Sequence, residues 1–121
     1  MKPSLLKDKS YAFALRIVRL AQYLNCEKKE YILCKQVLRS GTAVGALIRE
    51  AEYAESKSDF IHKLHIALKE ANETDYWLSL LHDSDFIDQK AYESINNDCK
   101  EMIALLVSSI KTSKKGEKGK N

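Results

Sequence analysis

The sequence predicts an all-α protein, specifically an up-and-down antiparallel four-helix bundle. Three observations carry this. Apolar residues recur at steps of three and four in four long segments. No stretch alternates apolar and polar residues as a half-buried strand would. A single proline and four glycines leave the 121-residue chain with few helix breakers. Four long helices joined by short loops favour antiparallel neighbours.

The first helix is expected from about Leu5 to Leu24. Tyr11, Phe13, Leu15, Ile17, Val18, Leu20 and Leu24 cover more than one of its faces, a pattern that implies more than one neighbour. Asn25 and the charged "EKKE" mark a turn, and a second helix runs from about Glu30 to Glu55. In "SKSDF", Ser56 and Asp59 are spaced as a capping box for the third helix, with Ser58 as an alternative cap. Phe60, Leu64, Ala67, Ala71, Thr74, Leu78 and Leu81 form its heptad seam. Asp88 caps the fourth helix, whose inner stripe is Tyr92, Ile95, Cys99, Met102, Leu106 and Ile110. One bundle domain thus spans residues 1–112, and the polar, lysine-rich residues 113–121 read as a disordered basic tail.

Charge is distributed unevenly. Residues 1–56 hold 10 Lys and Arg against 6 Asp and Glu, residues 57–112 hold 6 against 10, and residues 113–121 hold 4 against 1. The body is close to neutral, and the net charge of +3 equals that of the tail, which weakens the case for a strongly basic nucleic-acid-binding body. No apolar run is long enough to span a bilayer, and the charged N-terminus "MKPSLLKDKSYAF" lacks the apolar core of a signal peptide, so a cytoplasmic protein with no membrane partner is expected. Three scattered cysteines form no CxxC pair, and the paired ExxH motifs of di-iron bundles are missing. His62 and His65 share a face without a third ligand at matching spacing. Neither a metal nor a cofactor is expected, and no catalytic motif stands out; the chain reads as a non-enzyme.

The stretch "LRSGTAVGALIREAEYAES" raises a more specific question, because it places Gly41 and Gly45 inside a helix, where each costs about 1 kcal/mol relative to alanine. Gly41 lies on the inner stripe Cys34, Val37, Gly41, Val44, Ile48 and Ala51, and Gly45 sits beside it. With Ser40, Ala43 and Ala46 they leave about two turns almost without side-chain bulk. Close approach of another helix would offset part of the cost; a local kink near Gly41 is the alternative.

A second stripe on this helix holds Gln36, Ser40, Ala43, Leu47, Glu50 and Ala54, facing Ile66, Glu70, Glu73 and Trp77 of the third helix. Arg39, Ser40, Glu50, Glu70, Glu73 and Trp77 are the candidate interaction residues. One reading is a packing surface in which Glu70 and Glu73 accept hydrogen bonds or ion pairs from residues such as Arg39, with Trp77 at a bundle or subunit interface. The other is a ligand or acid–base site, for which no partner residue is evident.

The segments "YILCKQVLRSGTAVGALIREAEYAES" and "DFIHKLHIALKEANETDYWLSLL" resemble the bacterial 23S rRNA intervening-sequence proteins, historically labelled ribosomal proteins. The resemblance covers nearly the whole chain to about residue 111. It implies a four-helix protomer, no established enzymatic activity and assembly into homopentamers. A related branch, the accessory proteins of diversity-generating retroelements, forms pentameric barrels that bind a reverse transcriptase and nucleic acid. The family pattern "RSGTSVGANIxEA" is matched at Arg39, Ser40, Gly41, Gly45 and Glu50, and Glu70, Glu73 and Trp77 also stand at shared positions. Ala43 and Leu47 depart from it, replacing the usual serine and asparagine.

Two functional classes follow. A nucleic-acid or ribonucleoprotein accessory module would use Arg16, Arg19, Arg39 and Arg49 with the tail residues Lys114, Lys115, Lys118 and Lys120 on RNA or DNA. An oligomeric scaffold binding a protein partner would use the wide apolar helices and leave the tail as a solubilising terminus. A homo-oligomer, with the pentamer preferred, is expected in either case.

Overall fold

A computed structural model describes the backbone of residues 3–118 and the side chains of residues 5–116. Four helices follow in order: α1 (Pro3–Cys26), α2 (Ile32–Glu52), α3 (Lys57–Asp83) and α4 (Gln89–Lys118). Each packs on the next, and α4 closes the ring against α1 through the smallest of the four contacts. No strand occurs among the described residues, and none of their helices is long and apolar enough to cross a membrane.

The core runs the length of the bundle. Phe13, Ile17 and Leu24 meet Val37, Val44 and Ile48, and from the other side Leu64, Leu78, Leu81, Met102 and Leu106, all with 4% exposure or less. In α3 the seam begins with Ile61, which is buried, while Phe60 is only half-buried. Both lie one turn before Leu64, and at the bundle end the core side can take either position. In α1, Tyr11, Leu15 and Val18 remain outside.

The helix ends follow local chemistry. Glu30 precedes α2 and accepts from the amides of Ile32 and Leu33, so it caps the helix from outside rather than beginning it. The Tyr53 and Ala54 amides turn back to the Glu50 and Ala51 carbonyls, ending α2 three residues before the expected Glu55. Ser56 Oγ accepts from Asp59 N at 3.0 Å, and Asp59 in turn accepts from Glu55 N, so the cap of α3 is Ser56 and not Ser58. Asp88 Oδ1 accepts from Ala91 N at 2.8 Å and caps α4.

At the other terminus, the boundary expected at residue 112 is not a helix end. α4 continues through Lys118, so residues 113–118 are helical rather than a disordered tail. Nothing in "KTSKKGEK" forces a stop before Gly119, and the lysines suit the negative end of the helix dipole. Lys120 and the rest of residues 119–121 lie outside the described residues.

Candidate functional site

The polar stripe between α2 and α3 is a continuous network. Glu70 and Glu73 stand one turn apart on α3, so both carboxylates reach across to one guanidinium on α2. Arg39 Nη1 donates to Glu70 Oε1 at 3.1 Å, and Nη2 donates to Glu73 Oε2. The same Glu73 oxygen accepts from Trp77 Nε1 at 2.9 Å, which fixes the indole one turn further along. Beneath the ions, Ser40 and Thr74 are fully buried with their hydroxyl oxygens 2.9 Å apart, and Thr74 Oγ1 also lies 2.8 Å from the Glu70 carbonyl. Two turns along α2 from Ala43, Glu50 accepts from Lys63 Nζ at 3.1 Å.

The charges in this network reinforce one another. Hydrogen bonds to Glu73 first, and then to Glu70, raise the Arg39 pKa. The indole N–H of Trp77 is the main cause that lowers the Glu73 pKa; partial burial opposes it and Arg39 assists. A guanidinium held protonated and a carboxylate held ionised are ill matched to proton transfer near neutral pH. The arrangement clamps two helices, and its partners satisfy one another. Among the described residues, no buried side-chain nitrogen or oxygen lacks a hydrogen bond, and no three His, Cys, Asp or Glu side chains converge as metal ligands.

Gly41 and Gly45 face α1 within the same chain. A β-carbon at Gly41 would meet Ile17 at 2.7 Å, whereas one at Gly45 would come no nearer than 3.4 Å, to the Ser10 carbonyl oxygen. α2 runs without interruption from Ile32 to Glu52, and close packing against Ile17 accounts for Gly41, whereas Gly45 has room for a β-carbon.

The arginines proposed to contact nucleic acid divide into two kinds. Arg16 is occupied by α4: it donates to Asp98 Oδ2 at 2.7 Å and to the carbonyl and hydroxyl of Ser94 at 3.1 and 2.9 Å. Arg39 is occupied by Glu70 and Glu73. Arg19 and Arg49 are exposed and have no ion-pair or hydrogen-bond partner among the described residues. Lys114 and Lys115 are exposed on α4, and the backbone of Lys118 belongs to the same helix. Sequence reasoning did not find Asp98, Ser94 or Lys63 as partners, nor the pair Asn96–Asp75 linking α4 to α3 at 2.5 Å. Their separations along the chain carry no periodic signal; only the register of packed helices reveals them.

The profile of the 23S rRNA-intervening sequence protein family matches residues 4–108. The chain belongs to this family. Among solved structures, a protein of unknown function from the S23 ribosomal protein family of Bacteroides thetaiotaomicron is 58% identical, superposes with a TM-score of 0.90, and is matched over 92% of this chain and 99% of that one. No curated protein matches the chain. Within this 23S rRNA-intervening sequence protein, Ala43 and Leu47 occupy α2 between the Arg39 cluster and the Glu50–Lys63 pair, and Leu47 packs against the hydrophobic core. Apolar residues there interrupt the polar stripe without leaving a buried polar atom unpaired.

Proposed function

We propose that this protein is a non-enzymatic, self-assembling helical bundle that serves as a nucleic-acid or ribonucleoprotein accessory module, with the homopentamer as its preferred state. The observation that carries self-assembly is the outer face of α1. Tyr11, Leu15 and Val18 are 58%, 41% and 37% exposed, and their spacing of four and three places them in one stripe. Contact between copies would cover it. Membership of the 23S rRNA-intervening sequence family supports the accessory role. So does the continued helicity of α4, which sets Lys111, Lys114 and Lys115 at i, i+3 and i+4, a basic face suited to successive phosphates.

A second reading, a protein-binding scaffold without nucleic-acid contact, is supported by the capture of Arg16 and Arg39 in internal ion pairs. A cytoplasmic setting accords with three free thiols in either reading.

Light scattering of the native chain and of Leu15→Glu tests assembly: a multimer is expected, reduced to smaller species by the substitution. A monomeric mass at micromolar concentration overturns the proposal. Binding to a mixed RNA pool at low and moderate salt then separates the two roles, since a scaffold would show no salt-dependent affinity.

A further inference from the structure

The α1–α4 seam opens into a cleft of about 480 Å³, within the range of small-molecule sites. Its floor is apolar, made by Leu20, Ile87 and Ile95, with Ala91 at the edge and Tyr23 as one wall. Two guanidiniums border it. Arg16 is held by Ser94 and Asp98, whereas Arg19 has no partner among the described residues. The one carboxylate in the lining, Asp88, is engaged in capping α4 through Ala91 N.

We propose that this cleft binds a small organic anion with an apolar body, its anionic group on Arg19 and its body on Leu20, Ile87 and Ile95. Charge complementarity selects the anion: an unneutralised guanidinium beside apolar surface forms a charge-assisted hydrogen bond at little cost in desolvation. The floor selects the body. Leu20, Ile87, Ala91 and Ile95 offer apolar contact, and the polar groups of the lining are confined to Arg16, Arg19, Tyr23 and Asp88. The cleft borders the stripe proposed for contact between copies, since Arg19 and Tyr23 continue the row of Tyr11 and Leu15 at steps of four, while Arg16 and Leu20 carry the lining round towards α4.

The test uses the full chain with two fluorescent probes, 1-anilinonaphthalene-8-sulfonate and its uncharged counterpart N-phenyl-1-naphthylamine. Arg19→Gln is expected to weaken the sulfonate about tenfold, the scale of one charge-assisted hydrogen bond, and to leave the neutral probe unchanged, which also shows that the cleft is intact. Ala91→Trp, at an exposed position on the rim, is expected to weaken both probes. Amide shifts on adding the sulfonate should centre on Leu20, Tyr23 and Ala91. Unchanged sulfonate affinity in Arg19→Gln, or shifts centred on Tyr11 to Val18, overturns the proposal. So does displacement of the sulfonate by adenosine monophosphate, which would make the site a nucleotide site. A smaller oligomer on Ala91→Trp would assign the cleft to contact between copies and overturn it as well.

Discussion

The side chain of Ile17 occupies the space that a β-carbon on Gly41 would need: Cγ1 and Cγ2 of Ile17 lie 2.7 and 2.8 Å from that position. Ile17 is fully buried, so it cannot swing aside without displacing its neighbours in the core. Gly45 is different, because a methyl there would make ordinary contact with Ser10.

The two glycines should therefore respond oppositely to alanine. Gly41→Ala is expected to lose about 1–3 kcal/mol through overpacking, despite the gain in helix propensity. Gly45→Ala is expected to gain up to about 1 kcal/mol. Urea denaturation measures both, and Ile17→Ala introduced beside Gly41→Ala should show favourable coupling in a double-mutant cycle. Equal destabilisation by the two alanines would contradict this account of the α1–α2 contact.

The Arg39–Glu73–Trp77 network predicts an acid-dependent loss of stability. The folded Glu73 pKa lies below its ordinary value, so the folded state binds fewer protons than the unfolded state there. Its contribution is complete above the unfolded value of about 4.3 and is lost as pH falls through the lower, folded value. Glu73→Gln should flatten the stability profile in that window and leave the profile between pH 6 and 8 nearly unchanged. A Gln variant with the same acid slope as the native chain would remove Glu73 from the explanation.

Thiol reactivity should divide the three cysteines. Cys26 is exposed, and Cys34 and Cys99 are buried. Burial pushes the Cys99 thiol up to about 12, and burial together with Glu30 raises Cys34. With a disulfide reagent at pH 8, one thiol per native chain should react quickly and the other two only after denaturation. Rapid reaction of all three would show that the core opens readily around α2 and α4.

Truncation after Ser113 removes Lys114, Lys115, Lys118 and Lys120. If this end of the chain supplies the phosphate contacts, the salt slope on duplex DNA should shrink by up to about 3.6 per chain. An unchanged slope would transfer the contact to Arg19 and Arg49, the two candidate arginines left without partners.

The sequence reveals the architecture because each helix buries a periodic stripe. Val37, Gly41, Val44 and Ile48 in α2 and Ile95, Cys99, Met102 and Leu106 in α4 are all read from spacing and all buried. Ser56 and Asp88 are legible as caps because a side-chain oxygen three residues before an amide has few other roles. The pairing of Glu70 and Glu73 with Arg39 is legible because the three stand on facing stripes of consecutive helices. That Arg16 meets Asp98 is hidden, because it depends on the relative height of helices far apart in the chain. The end of α4 was obscured for another reason, since a lysine-rich helix without an apolar stripe has the composition of a loop.

Among the described residues, the last buried side chain of α4 is Ile110, although the helix itself continues to Lys118. The turns after Ile110 borrow their nucleus from the packed part of the helix and are otherwise held by their own hydrogen bonds. They can therefore unwind without any cost to the core, and their opening free energy is uncoupled from that of the bundle. Amide hydrogens from Lys111 to Gly116 should exchange with deuterium long before those between Ile95 and Leu106. A bound polyanion, by relieving repulsion among Lys111, Lys114 and Lys115, would slow that exchange, so that occupancy of this end is recorded as retained protons even where the fold is unaltered.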